Sequence, residues 1–196
     1  FDMHEGRTVA VVGESGSGKS TAARCITGLL PPREGAISVN GEVMPADYRK
    51  RSKDQLRQVQ MIYQMADTAL NPRMSIGEII ARPVQFYLGL TGKAKRARVD
   101  ALLNQIELEP SEYYNRLPSE LSGGQKQRIG IARALAAEPK FIICDEVTSA
   151  LDQLVAEGIL RLLAKLQDDL GLSYMFITHD LATVRAIADE VVVMKD

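Results

Sequence analysis

Residues 13–21 read Gly13-Glu14-Ser15-Gly16-Ser17-Gly18-Lys19-Ser20-Thr21. The spacing G-x-x-x-x-G-K-[ST] is typical of a loop that binds the phosphates of a nucleotide. An apolar run at residues 8–12 precedes the loop and predicts a buried strand, and residues 19–29 predict a helix. In such a strand–loop–helix unit, glycines let backbone N–H groups surround a polyphosphate, and the helix N-terminus adds partial positive charge.

Two side chains of this phosphate loop (residues 13–21) are expected to act on the ligand directly. Lys19 can reach the β- and γ-phosphates, and the Ser20 hydroxyl can ligate Mg²⁺. The alternative is a glycine-rich turn with a chance lysine. It fits less well, because all four fixed positions and both flanking patterns are present. The loop therefore predicts a site for a nucleotide and Mg²⁺.

The composition is that of an ordinary globular protein. Of the 196 residues, 45% are hydrophobic and 25% are charged, and the formal net charge of −1 implies no bulk attraction to nucleic acid or anionic lipid. No apolar run approaches the roughly 18 residues of a membrane span, so we expect any membrane link to run through a partner protein. Cys25 and Cys144 lack metal-like spacing and are predicted to be free, buried thiols.

The chain alternates strand and helix patterns, which predicts an α/β fold with a mainly parallel sheet and helices on both faces. Predicted strands fall at residues 8–12, 36–41, 59–64, 141–146, 173–178 and 190–194. Predicted helices fall at residues 19–29, 47–57, 75–88, 93–107, 126–137 and 152–170, and a further helix runs through residue 188. The helix at 47–57 is expected to be exposed, and residues 113–120 are expected to form a loop.

We expect one domain, residues 1–196, made of two regions. Residues 1–64 and 135–196 form a strand-rich core with a small antiparallel β subdomain, which the Asn-Gly pair at residues 40–41 indicates. Residues 65–134 are interpreted as an inserted helical subdomain, because helical patterns dominate there. Both ends of the chain resemble cut strands, so the β subdomain is expected to be truncated and the domain to continue beyond both ends.

Polar side chains follow three of the predicted buried strands: Gln64, the pair Asp145 and Glu146, and His179. Ligands of open parallel sheets bind at the carboxyl ends of strands, so these groups should converge on the phosphate loop. Asp145 is the expected Mg²⁺ partner, and Glu146 is placed to orient an attacking water. The alternative for each acid is a helix cap or a surface charge, and His179 taken alone would more often be structural.

Together these segments resemble the nucleotide-binding domain of an ABC transporter over essentially the whole chain. A phosphate loop followed by Leu-Ser-Gly-Gly-Gln in this order is a very specific combination. The resemblance implies a P-loop NTPase core of the RecA type, a helical subdomain, and a head-to-tail dimer that encloses two ATP molecules. It rests on the phosphate loop, Gln64, Leu121-Ser122-Gly123-Gly124-Gln125, Cys144-Asp145-Glu146, Ser149-Ala150-Leu151-Asp152 and Thr178-His179-Asp180.

The resemblance also implies a role for each segment. Residues 13–21 are Walker A, which binds ATP, and residues 141–145 are Walker B. Glu146 is the catalytic glutamate, Gln64 contacts Mg²⁺ and the attacking water, and His179 hydrogen-bonds the γ-phosphate. The signature segment (residues 121–125) contacts the ATP of the opposite domain, and the D-loop (residues 149–152) crosses the dimer interface. The implied Mg²⁺ ligands are Ser20, Gln64 and Asp145.

Residues 69–80 and 172–181 resemble the peptide/nickel importer branch of the family. This implies an ATPase that drives import of a peptide-like or related solute through separate transmembrane permease subunits, with a solute-binding protein as an indirect partner. The second nucleotide-binding domain can be an identical, a different or a fused one. The expected location is the cytoplasmic face of the cell membrane.

One position departs from the family pattern, and two other functions remain as alternatives. The family usually has proline at position 147; Val147 keeps a backbone N–H and a freer φ, which predicts a slightly altered D-loop with activity retained. A non-transport ABC ATPase of DNA repair, chromosome maintenance or translation would normally carry a coiled coil, a zinc module or a basic surface. No such pattern is visible, and no nucleic-acid partner is expected. A P-loop kinase or GTPase is disfavoured by the signature segment.

Overall fold

The computed structural model describes residues 1–195, including the side chains of all of them except residues 66 and 67; residue 196 of the predicted core lies outside the described residues. Its strands are β1 (Thr8–Gly13), β2 (Ser38–Val39), β3 (Glu42–Val43), β4 (Val59–Ile62), β5 (Phe141–Asp145), β6 (Ser173–Ile177) and β7 (Glu190–Met194). Its helices are α1 (Lys19–Ile26), α2 (Lys53–Gln58), α3 (Ala66–Ala69), α4 (Ile76–Leu88), α5 (Gly92–Gln105), α6 (Pro110–Tyr113), α7 (Gly123–Leu135), α8 (Gln153–Leu170) and α9 (Leu181–Ile187).

The sheet has the predicted parallel arrangement. Within residues 1–195, five strands pair in the order β4-β5-β6-β1-β7, and each neighbouring pair is parallel. The strands β2 and β3 form the predicted antiparallel hairpin. The α/β fold with a mainly parallel sheet is therefore confirmed. Since the five strands point the same way, their carboxyl ends lie along one edge of the sheet.

Strands β4, β5, β6 and β1 are largely buried on both faces, as their continuous apolar sequences require. The edge strand β7 instead exposes Val191 and Val193. Side chains alternate across each strand, so residues two apart share a face. On one face, Val9, Ile143 and Met175 pack with Ala23 of α1. On the other face, Ile142 and Tyr174 join a larger apolar cluster that extends to buried residues of α4, α5, α7 and α8. The larger cluster therefore packs one face of the sheet together with α4, α5, α7 and α8.

Helices α3 to α7 occupy the region predicted to be helical. Helix α4 packs on both α5 and α7, and α3 also contacts α7. The N-terminus of α4 has the capping box expected from the sequence. Ser75 Oγ accepts from the Glu78 N–H, and the Glu78 carboxylate accepts from the Ser75 N–H at 2.8 Å. The limits of a helical subdomain at residues 65 and 134 stay a prediction. Among the described residues, none of the helices has the length and apolar character needed to cross a bilayer.

The expectation of one exposed helix at residues 47–57 is wrong. The segment divides into a 3-10 turn, Tyr48–Lys50, and α2, and the first of the two residues between them is buried. This residue, Arg51, donates to the carbonyls of Pro45 and Ile26, the last residue of α1. A cation at a helix C-terminus is stabilised by the carbonyl groups there. Burial lowers the pKa of Arg51.

Other boundaries differ for local reasons. Residues 110–113 form helix α6, which begins with a proline at its first position, where the missing N–H costs nothing. Helix α7 begins at Gly123, three residues before the predicted start, because Ser122 caps it. Cys144 is buried as predicted, and burial raises the pKa of its thiol. Cys25 is only half-buried, which corrects the expectation for that residue.

Two helical glycines provide a matched test of the packing. A Cβ built on Gly77 of α4 would lie 2.4 Å from the ring of Tyr114, while a Cβ on Gly158 of α8 would meet no atom within 4 Å. We expect Gly77→Ala to lower the free energy of unfolding by about 1–3 kcal/mol because of overpacking. Gly158→Ala should raise it by about 0.5–1 kcal/mol because alanine loses less backbone entropy. Urea denaturation measures both; equal effects would contradict the packing at Gly77.

Candidate nucleotide-binding site

The phosphate loop lies between the end of β1 and the start of α1. Gly18 precedes α1 with a left-handed φ of +92°, which glycine adopts without steric cost. A Cβ on Gly13 would lie 2.3 Å from the backbone oxygen of Met194 in β7, so the neighbouring strand leaves room only for glycine. The Glu14 carbonyl accepts from the Ser17 N–H at 3.2 Å, so these two residues close the loop on itself.

Lys19 is folded over the phosphate loop. It is buried, and its Nζ donates to the carbonyl of Gly13 at 2.9 Å and to the carbonyl of Glu14 at 2.6 Å. Neutral carbonyls leave the charge of the ammonium group without an anionic partner in these two bonds. Lys19 therefore suits a phosphate oxygen, with which it forms stronger, charge-assisted hydrogen bonds.

Ser20 and Asp145 meet across the sheet edge. Ser20 Oγ, in the first turn of α1, donates to Asp145 Oδ1 at the end of β5 over 3.2 Å. Burial raises the pKa of Asp145, and the hydrogen bond from Ser20 opposes that rise. A hydroxyl and a carboxylate are oxygen ligands of the kind that Mg²⁺ takes, and Mg²⁺ usually completes its shell with water and phosphate oxygens. The pair therefore fits Mg²⁺ bound together with a nucleotide.

Among the described residues, Ser20 and Asp145 are not part of a larger cluster of potential metal ligands. Leaving aside residues 66, 67 and 196, the structure contains no group of three or more His, Cys, Asp or Glu side chains arranged to hold a metal ion.

Glu146 occupies an unusual position immediately after β5. Its φ is +49°, a left-handed conformation that costs a non-glycine residue about 1–3 kcal/mol. Its N–H donates to the Ile177 carbonyl at 2.9 Å, which fixes the backbone beyond the strand. Its Oε2 accepts from Gln64 Nε2 at 2.7 Å, and its Oε1 lies 3.4 Å from His179 Nδ1. The structure thus brings together the three residues that the sequence assigned to catalysis.

A cleft of about 430 Å³ joins Glu146 and His179 to the phosphate loop. Gln64 contacts Glu146, and its role as a Mg²⁺ ligand, which the family resemblance implies, stays a prediction. The cleft is lined by Gly13, Ser15, Gly16, Gly18, Lys19, Ser20, Thr21, Glu146 and His179.

The D-loop continues directly from Glu146. Ser149 Oγ donates to the Glu146 carbonyl at 3.0 Å and accepts from Gln64 Nε2 at 3.2 Å. Asp152 caps α8 by accepting from the Val155 N–H. Ala150 is exposed and Leu151 half-buried. Val147, the departure from the family pattern, is buried in the larger apolar cluster and so anchors this turn.

The signature segment is not brought to the cleft of its own chain; among the described residues that line the cleft, none belongs to 121–125. Ser122 Oγ caps α7 by accepting from the Gln125 N–H, and Gln125 Oε1 accepts from the Ser122 N–H. A Cβ on Gly124 would lie 2.5 Å from Val155, so glycine allows α7 to approach α8. Leu121 is buried, whereas Ser122 and Gly123 are exposed.

Sequence reasoning missed the structural roles of two residues near these segments. Asp180 follows His179 and caps α9 by accepting from the N–H groups of Ala182 and Thr183; an Asp before an apolar run is a signal that could have indicated the cap. Tyr113 lies in a segment interpreted as a loop, and its hydroxyl accepts from Gln125 Nε2 at 2.9 Å. No local pattern announces that contact, because the two residues meet only through tertiary packing.

The phosphate loop between β1 and α1 of a parallel sheet, together with the Ser20–Asp145 pair, defines a P-loop nucleotide-binding protein. The comparisons with known proteins identify the family. The family model described as ABC transporter matches residues 1–149. The chain therefore belongs to the ABC transporter family.

Curated relatives and solved structures agree with this assignment. The chain is 48% identical to the oligopeptide transport ATP-binding protein OppF of Haemophilus influenzae, covering 99% of this chain and 58% of the relative. It is 42% identical to the di/tripeptide transport ATP-binding protein DppF of Pseudomonas aeruginosa, covering 99% of this chain and 60% of the relative. The chain thus spans less than two thirds of the length of these relatives.

Two solved structures superpose on the whole chain. One is the dimeric ATP-binding cassette MJ0796 in a post-hydrolysis state bound to ADP and Pi, with a TM-score of 0.83, 33% identity and 84% of that chain covered. The other is cbiO1 of Clostridium perfringens, part of the transporter complex cbiONQ, with a TM-score of 0.85, 30% identity and 76% of that chain covered. These similarities confirm the P-loop NTPase fold.

Replacing Lys19 tests the phosphate site. We expect Lys19→Ala to weaken ATP binding by at least about tenfold, because a charge-assisted hydrogen bond contributes about 1.5–3 kcal/mol. Lys165→Ala, which removes an exposed lysine paired with Asp169 on α8, is the matched control. Titration with a fluorescent ATP analogue measures both, and equal affinities in the two variants would contradict the assignment.

Proposed function

We propose that this chain is the ATP-hydrolysing part of an ABC importer. In this proposal it works in a head-to-tail dimer and drives uptake of a peptide-like or related solute through separate membrane subunits. The observation that carries the proposal is the placement of Glu146 beside the phosphate cleft, with Gln64 on one carboxylate oxygen and His179 near the other.

The chemistry follows from these positions. The loop N–H groups and Lys19 bind the phosphates, and His179 is close enough to the cleft to contact a γ-phosphate. Glu146 accepts a hydrogen bond from the attacking water and orients it, which is the task of the positioned base in phosphoryl transfer. When bound at Ser20 and Asp145, Mg²⁺ neutralises charge on the β- and γ-phosphates.

A second nucleotide-binding domain is proposed to complete each site. The signature segment does not line the cleft of its own chain, yet it opens a 13-residue helix with an exposed serine and glycine. Ser122 Oγ accepts one bond from the Gln125 N–H and still has its own hydrogen to donate. That hydroxyl and the N-terminus of α7 suit the γ-phosphate of an ATP bound to a partner domain.

Transport is proposed from the relatives. OppF and DppF are named as ATP-binding proteins of oligopeptide and di/tripeptide transport, which favours import over the non-transport ATPases. The membrane subunits would contact the surface from Gln64 to Arg82, in which Met65 exposes an apolar side chain and next to which Tyr63 is also exposed. In this proposal the protein acts on the cytoplasmic face of the cell membrane, with a solute-binding protein as an indirect partner.

Glu146→Gln tests hydrolysis. We expect the variant to bind MgATP but to hydrolyse it at least about a hundredfold more slowly, because general-base catalysis contributes about 10²–10⁴-fold. A dimer should then accumulate with ATP, as seen by size-exclusion chromatography. The control is Glu157→Gln, an exposed residue of α8. Turnover of Glu146→Gln close to that of the control would refute the catalytic role.

Ser122→Asp tests the role of the signature segment across the dimer. Aspartate still caps α7, so the helix should remain stable, but its negative charge would repel the phosphates of the partner's ATP. We expect hydrolysis to fall at least about tenfold, the effect of about 1.4 kcal/mol on the barrier, while ATP still binds the monomer. The control is Ser52→Asp, because Ser52 and Gln55 form the same capping box at α2. Loss of ATP binding by the monomer would instead mean that Ser122 acts within its own chain.

A further inference from the structure

The Gln125 side chain is held at both ends of its amide. Its Oε1 accepts from the Ser122 N–H at 2.9 Å, and its Nε2 donates to the Tyr113 hydroxyl at 2.9 Å. The Ser122 N–H can be satisfied only by the amide oxygen, so the amide has one permitted orientation, and in that orientation Nε2 faces Tyr113. The capping box at the start of α7 and the bond to Tyr113 are therefore parts of one connected arrangement.

Backbone and ring contacts fix the position of Tyr113 and therefore of its hydroxyl. It ends α6, and its N–H donates to the Glu109 carbonyl at 3.0 Å. Its half-buried ring lies under the guanidinium of Arg116, with the Arg116 carbon 4.7 Å from the ring centroid.

The chain after Tyr113 is bonded to the N-terminus of α4. The carbonyl of Tyr114 accepts from the Gly77 N–H at 2.8 Å, and the carbonyl of Arg116 accepts from the Ile76 N–H at 2.9 Å. These N–H groups belong to the first turn of α4, where a helix has no internal acceptor for them. Two tertiary backbone bonds thus fix the segment that carries Tyr113 against a 13-residue helix.

We propose that Tyr113 is a positioning residue of the signature segment. Its hydroxyl fixes the Gln125 amide, Gln125 fixes the Ser122 backbone, and Ser122 thereby presents its hydroxyl and the first turn of α7 in the direction that a partner's ATP requires. This inference rests on the proposed function for its catalytic consequence. The positioning itself is a property of the nucleotide-free chain and can be tested separately.

Hydrogen exchange tests the positioning without any nucleotide. Tyr113→Phe removes the hydroxyl and keeps the ring. Exchange of the Ser122 and Gln125 N–H groups, measured by NMR on the full chain, should become about two- to tenfold faster, the range that the loss of one hydrogen bond predicts. Tyr87→Phe is the control, because its hydroxyl also accepts from a glutamine amide, Gln60 Nε2 at 3.4 Å. Unchanged exchange in Tyr113→Phe would overturn the proposal.

A double-mutant cycle tests the catalytic consequence. We expect Tyr113→Phe to lower kcat for ATP hydrolysis about two- to tenfold, with ATP affinity of the monomer and the thermal midpoint close to those of Tyr87→Phe. In the background of Gln125→Met, Tyr113→Phe should have no further effect, because the hydroxyl acts through that amide. Effects of the two substitutions on kcat that multiply in the double variant would overturn the proposal. An unchanged kcat in Tyr113→Phe would also overturn it.

The two experiments separate failure of this inference from failure of the proposed function. A wild-type chain that hydrolyses no ATP, or a Ser122→Asp variant with full turnover, would refute the proposed function. Hydrogen exchange at Ser122 and Gln125 would still decide whether Tyr113 positions the signature segment.

Discussion

The hydrogen bond from the Glu146 N–H to the Ile177 carbonyl is the contact on which the site depends. In the parallel register of β5 and β6, Asp145 lies opposite Ile177, so this bond extends the pairing one residue beyond the strand. At this point Glu146 turns at the sheet edge with a left-handed backbone. After this turn Glu146 lines the cleft at the phosphate loop, while Asp145 accepts a hydrogen bond from Ser20 Oγ. The two adjacent acids therefore have different surroundings and, in the proposed function, different tasks.

A second constraint joins the turn at Glu146 to the signature segment of the same chain. Ser149 of the D-loop is bonded to Glu146 and Gln64, whereas Leu151, two residues further on, lies 3.5 Å from the Cβ position of Gly123. Gly124 leaves room for Val155 in the first turn of α8. Since packed side chains transmit displacement rather than absorb it, a change at Glu146 has a short physical route to the surface that would meet a partner domain.

The sequence predicts most of this arrangement because its strongest signals are local. Each of these signals can be recognised within a few residues: the glycine spacing of residues 13–18, the acids after one apolar strand and the histidine after another. The parallel sheet then places all of them at one edge. The burial of Arg51 could not be predicted, because its partners Pro45 and Ile26 meet it only in the folded chain. The contact of Tyr113 with Gln125 is hidden for the same reason, and the short helix that presents Tyr113 lies in a stretch that has no helical periodicity.

The Ser-x-x-Gln pattern shows why a motif needs its structural setting. Ser52 and Gln55 form the same capping box as Ser122 and Gln125, so the pattern by itself indicates only the start of a helix. The two helices differ in the residues next to the serine: α2 continues with a lysine and an aspartate, whereas α7 continues with two glycines. Glycine costs helix stability. Gly124 permits the close approach of Val155, whereas a Cβ on Gly123 would make only ordinary contact, 3.5 Å from Leu151, so packing within the chain does not require a glycine there. A cap that stabilised only its own helix would not need a glycine at position 123, with its cost in helix stability. The presence of Gly123 therefore favours a ligand beyond the chain.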